Sequence, residues 1–138
     1  VTARSLQTTA TREHLPVLID FVQHWWEEAA LPVALAFPFE VALEEVCMNV
    51  IMHGTRASGS PPELSVSLRL EGDAVTMVIE DDGVAFDPLV VAPPDIDTSL
   101  EEREIGGLGV FLVRKLMDDV SYAHTGSHNR LTMRKAVS

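Results

Sequence analysis

Glu45 and Asn49 stand four residues apart in the run GluGluValCysMetAsnValIleMetHis, residues 44 to 53. On a helix that spacing puts both on one face, one turn apart. The amide oxygen of Asn49 can then coordinate a hard cation such as Mg²⁺, and the Glu45 carboxylate can take a proton from a nucleophile. A second run, GluAspAspGlyValAlaPheAspPro (residues 80 to 88), follows directly on an apolar stretch. Asp81, at the end of such a strand, can accept a hydrogen bond from an amino group, and the exocyclic amine of adenine is such a donor. Gly83 lets the backbone turn and come close to a neighbour. A third run, GlyGlyLeuGlyValPheLeuValArg (residues 106 to 114), leads glycines straight into an apolar segment. Unshielded N–H groups at a helix start form a phosphate site. No GlyLysSer or GlyLysThr follows, so this is not a Walker loop, and the GxGxxG spacing of a dinucleotide fold is absent. Taken singly, each run is ordinary: a solvated helix face, an Asp-Gly turn, a flexible cap.

These residues need elements to hold them. Arg4 to Thr9 reads as an edge strand, and Thr11 as a helix N-cap. Leu15, Leu18, Ile19, Val22, Trp25 and Trp26 recur at three- and four-residue steps and predict a helix from Arg12 to about Ala30. Pro32 and Pro38 bound a connection, with a second helix expected from Phe39 to Met52 and stopped by Gly54. Glu63 to Leu70 and Ala74 to Glu80 read as a hairpin, as do Val120 to His124 and Asn129 to Arg134. Between them lies a long segment, Asp81 to about Gly107, and then a helical stretch from Leu108 to Met117. A connection that long in so short a chain is usually functional or disordered. The order predicts an α+β two-layer sandwich, with a mixed, mostly antiparallel sheet and helices on one face.

With 138 residues, the chain suits a single domain spanning 1–138. Its 21 Asp and Glu against 10 Lys and Arg give a net charge of -11, which opposes direct nucleic-acid binding. A local nest of N–H groups or a metal ion can still hold a nucleotide's phosphates. Cys47 is the only cysteine, so no disulfide forms within the chain, which fits a reducing compartment. No run is long and apolar enough for a membrane span, no signal-type core opens the chain, and a cytoplasmic protein is expected. Val1 in first position leaves open an origin in a longer signalling protein.

The three runs, in this order, resemble the N, G1 and G2 boxes of the GHKL superfamily of ATPases and kinases. The pattern reads Glu45-x-x-x-Asn49, then Asp81-x-Gly83-x-x-Phe86-Asp87-Pro88, then Gly106-Gly107-Leu108-Gly109. Within the superfamily the chain is most similar to RsbW-type anti-sigma-factor serine kinases, and the ending, residues 115 to 135, also fits that group. The resemblance implies the Bergerat fold and the cofactors ATP and Mg²⁺. It implies Asn49 as metal holder, Glu45 as general base, and Asp81 as partner of the adenine amine, supported by Gly83. Phe86 and the Gly106–Gly109 segment would line the nucleotide under a mobile lid of about residues 88 to 106. Thr132 would join the water network near Asp81. Expected partners are an anti-sigma-factor antagonist protein, phosphorylated on a serine, and a sigma factor, with the kinase a homodimer. Met48 departs from the family, where a small polar residue is common, and His53 matches a position often held by His. A nucleotide-binding anti-sigma or switch module without kinase activity, or a kinase module from a larger protein, stay open as alternatives.

Other residues carry plainer expectations. One of Trp25 and Trp26 belongs in the core and its neighbour at a dimer or partner surface. Cys47 lies on the apolar side of its helix as an inert thiol. Glu101 to Glu104 reads as a solvated charge run, or as a sensor of the γ-phosphate.

Overall fold

The computed structural model describes residues 3–85, 87, 89 and 113–137. Phe86, Pro88, Gly106, Gly107, Leu108, Gly109 and the charge run at 101 to 104 lie outside the described residues, as does most of the expected lid.

Five strands form one sheet: β1 (Ala3–Thr9), β2 (Glu63–Glu71), β3 (Ala74–Asp81), β4 (Asp119–Thr125) and β5 (His128–Ala136), in the order β1-β2-β3-β5-β4. Every pairing among the described residues is antiparallel. The parallel component expected of a mixed sheet is therefore not found there. The reason is the β3–β5 pairing: β5 returns beside β3 only after the β4 hairpin has reversed its direction. Both hairpins turn on two residues, and in each the first, Gly72 or Gly126, has a positive φ (60° and 62°). A glycine there allows the turn to follow the strands' twist without a Cβ clash.

Alternation along the strands sorts the side chains. Leu64, Val66 and Leu68 of β2, Val75, Met77 and Ile79 of β3, and Leu131 and Met133 of β5 are buried on one face. Helices α1 (Leu15–Glu28) and α2 (Phe37–His53) cover that face with Leu18, Val22, Trp25, Trp26, Phe39, Ala42, Leu43, Val46 and Cys47. Each large apolar side chain so removed from water contributes about 1.5–3 kcal/mol.

Helix α2 begins two residues earlier than the periodicity suggested, because Pro38 falls in its first turn, where a missing N–H breaks no helical bond. Before α1 the chain makes a single 3-10 turn, Arg12–His14. Thr11 caps that turn, but its hydroxyl bonds to His14 Nδ1 at 2.6 Å instead of to a backbone N–H.

Both tryptophans are in the core, Trp25 at 1% and Trp26 at 2% exposure, so neither forms a partner surface. Adjacent helical positions usually diverge. Here the chain after α1 folds back over Trp26, and its indole N–H donates to Pro32 O at 2.8 Å.

Candidate functional site

The buried row of β3 runs Val75, Met77, Ile79 and then Asp81, so one more alternation carries a carboxylate to the end of an apolar stripe. Its neighbours in register are Leu64 on β2 and Asn129 on β5. Asp81 is 6% exposed, Asn129 5% and Asn49 7%, and no other polar side chains are fully buried among the described residues. All three border one cleft, together with Val46, Val50, Gly54, Ile79, Val84, Tyr122 and Leu131. The cleft encloses about 390 Å³ of empty space, open solvent at its mouth included.

Asp81 is tethered on one side. Its Oδ1 accepts from the Gly83 N–H at 2.9 Å and from Asn129 Nδ2 at 3.0 Å. Among the described residues Oδ2 has no protein donor. Burial raises the Asp81 pKa above the ordinary carboxylate value, and the two donors offset part of that rise.

Gly83 is a glycine because of what lies against it. A Cβ there would sit 2.1 Å from the Gly54 carbonyl oxygen. The end of α2 and the end of β3 thus meet backbone to backbone, and the Val84 N–H donates to the same Gly54 oxygen at 3.3 Å. Asp82 adds a second tie. Its Oδ1 accepts from the Glu63 N–H at 2.8 Å, and its Oδ2 from Arg56 Nη1 at 3.2 Å. Arg56 Nη2 also donates to Pro61 O at 2.9 Å, which folds the segment after α2 onto the strand ends.

On α2, Asn49 and Glu45 share a face as expected, with Asn49 at the cleft and Glu45 one turn before it, half-buried. Partial burial raises the Glu45 pKa, and the neighbouring Glu44 charge raises it further. Cys47 is buried, and its thiol is pushed up to about 12 by burial and then by the Asp81 charge, which keeps it inert. Met48 is half-buried and does not line the cleft, and His53 ends α2 exposed.

Thr132 requires a correction. It pairs with Val78 and Ser121, three residues beyond Asn129, and an odd step along a strand reverses the face. Its side chain stands on the sheet face away from the helices, not beside Asp81. Asn129 holds the place expected of Thr132. The strand's alternation was legible, but the register that sets Asn129 opposite Asp81 was not. Tyr122, whose hydroxyl donates to Asn129 Oδ1, was likewise missed.

Among the described residues, no group of three or more His, Cys, Asp or Glu side chains could hold a metal, and no helix is long and apolar enough to cross a membrane. The family described as "Histidine kinase-like ATPase domain" matches residues 8–135. The chain is 30% identical over 114 residues to the serine/threonine-protein kinase BtrW of Bordetella bronchiseptica, covering 80% of each chain. It is also 30% identical over 89 residues to the serine-protein kinase RsbW of Bacillus cereus, covering 62% of this chain and spanning 54% of that relative. Among solved structures, the RsbU and RsbW domains of a Mycobacterium tuberculosis protein superpose with a TM-score of 0.70 at 13% identity, over 99% of this chain and 32% of that one. The histidine kinase AdeS of Acinetobacter baumannii follows the same fold, with a TM-score of 0.55 at 13% identity over 98% of this chain and 68% of that one.

Proposed function

The chain belongs to the histidine kinase-like ATPase domain family, on its serine-kinase side, and we propose that it is an ATP-dependent serine/threonine kinase of the anti-sigma-factor type. Its acceptor would be a serine on an anti-sigma-factor antagonist protein, and it would also sequester a sigma factor. One observation carries the nucleotide assignment: a buried aspartate at the edge of an apolar cleft, one of whose oxygens has no donor among the described residues. A flat purine suits apolar walls of Val46, Val50, Ile79 and Leu131, and its exocyclic amine suits the Asp81 acceptor.

Asn49 borders the same cleft and would hold the cation that accompanies the triphosphate. With no carboxylate or histidine cage among the described residues, the remaining ligands would be phosphate oxygens and water, as Mg²⁺ prefers. When bound, the ion neutralises charge on the phosphates. The glycines at 106, 107 and 109 would supply backbone N–H groups to the same phosphates. Glu45 takes the proton of the acceptor serine hydroxyl. The serine oxygen bonds to the γ-phosphorus as the bond to the β-phosphate oxygen breaks, and ADP leaves. The raised pKa of Glu45 makes it a stronger base than an ordinary carboxylate.

Incubation with labelled ATP and candidate antagonist proteins tests the reading. Label on a partner serine is expected. A stable complex that never acquires label would replace the kinase with a nucleotide-binding switch module. Glu45→Ala should retain ATP affinity and lose about 10²–10⁴-fold in transfer; transfer at the wild-type rate would remove Glu45 from the chemistry.

A further inference from the structure

We infer that Asn129 and Tyr122 are positioning residues that orient Asp81 so that the cleft selects purines carrying an amino group at the six position. The inference rests on the nucleotide reading above and assigns the residues that make it selective.

The geometry around Asn129 allows one arrangement of its amide. Nδ2 donates to Asp81 Oδ1 at 3.0 Å and to Val84 O at 3.0 Å, with Gly83 O at 3.5 Å. Its Oδ1 accepts from the Tyr122 hydroxyl. Turning the amide over would set its oxygen against a carboxylate and two carbonyls, so the neighbours decide the orientation. The chain of donation therefore runs one way: Tyr122 to Asn129, Asn129 to Asp81.

The consequence falls on Asp81. Two N–H donors, from Asn129 and Gly83, hold Oδ1 and fix the carboxylate's rotation. Oδ2 is left as an acceptor and nothing else. A purine amine can donate to it. A six-oxo group would place a second acceptor against it, and a purine with hydrogen at that position would leave it unpaired in a buried site. Either mismatch weakens binding by roughly 10–100-fold. Tyr122 lies on β4, at the sheet's edge, and Asn129 on β5, so the two links come from the two strands of one hairpin. Loss of the Tyr122 hydroxyl removes one tether from the Asn129 amide and loosens its hold on Asp81, and loss of the amide frees Asp81.

The test compares three probes by calorimetric titration in the presence of Mg²⁺: ATP, inosine triphosphate and purine riboside triphosphate, which lacks the six-amino group. The full chain should bind ATP roughly 10–100-fold more tightly than purine riboside triphosphate. In Asn129→Leu that ratio should fall towards one, through weaker ATP binding with little change for the analogue. Tyr122→Phe removes a single hydroxyl from an edge strand and should lower the ratio several-fold in the same direction. A generally loosened fold would weaken every nucleotide together and leave the ratio intact. An unchanged ratio in Tyr122→Phe, or in a folded Asn129→Leu, with ATP still bound, would overturn this inference and spare the nucleotide reading. A wild-type chain that binds none of the probes would overturn both.

Discussion

Ionised Asp81 opposes the fold that contains it. Burial raises its pKa in the folded chain above the unfolded value, and the hydrogen bonds from Asn129 and Gly83 recover only part of the loss. The sign follows from linkage: the folded state holds this proton more tightly than the unfolded state does. The contribution to stability is fullest below the ordinary carboxyl pKa and is lost as pH rises through the raised one. At neutral pH the charge is thus a standing penalty, tolerated for what it can bind. Asp81→Asn keeps an oxygen for the Gly83 and Asn129 donors but presents an N–H₂ to the purine amine. Thermal melts at neutral pH should show it at least as stable as the wild type, with the difference closing in acid, while ATP titration shows no binding. A variant that melts well below the wild type at neutral pH would contradict the assignment of the penalty. Gly83→Ala acts on the same spot through sterics. Its Cβ would meet the Gly54 carbonyl oxygen at 2.1 Å, against backbone that cannot yield cheaply. A destabilisation of about 1–3 kcal/mol in urea unfolding is expected, with loss of nucleotide binding.

Helix α1 ends in a Schellman turn, which sets how the chain crosses to α2. The Leu31 N–H donates to Trp26 O at 3.4 Å and the Ala30 N–H to Glu27 O at 3.0 Å. Ala30 occupies the left-handed position, with φ of 58°, where glycine is usual. Ala30→Gly should therefore stabilise the protein by about 0.5–1 kcal/mol, the relief of Cβ strain outweighing the freer unfolded chain. A denaturant midpoint that moves down would show that the turn is not strained. At the other end of the helix pair, the Asp82–Arg56 ties and the Gly54–Gly83 contact clamp α2 to β3. That clamp decides where Asn49 stands relative to Asp81, whose own Oδ1 holds the Gly83 N–H.

The core as a whole rests on an aromatic cluster. Trp25 and Trp26 meet edge to face at 5.7 Å between ring centres, and Trp26 lies 5.4 Å from Phe39. The two indoles differ in one respect. Trp26 Nε1 donates to Pro32 O, whereas Trp25 Nε1 is buried with no partner among the described residues. Replacing either by Phe leaves a similar void, but only Trp26→Phe also removes a hydrogen bond, leaving Pro32 O with the Leu35 N–H alone. Trp26→Phe should be the more destabilising by about 1–2 kcal/mol in paired urea curves. Equal losses would mean that the Pro32 bond contributes nothing.

Periodicity and order carried much of this protein. The steps of Leu18, Val22, Trp25 and Trp26 revealed α1, the alternation of Leu64, Val66 and Leu68 revealed β2, and Glu45 with Asn49 on one face required only helical geometry. Local rules suffice for such features because they depend on neighbours within a turn or a strand. The partners of Asp81 were of another kind. Asn129 and Tyr122 lie 48 and 41 positions away, and a one-residue change in register would turn both to the opposite face, the one on which Thr132 stands. Likewise, nothing in adjacent tryptophans tells that a later proline carbonyl will cover the second. Register and coverage arise when separate elements pack, so only the folded chain could decide which amide reaches the buried carboxylate.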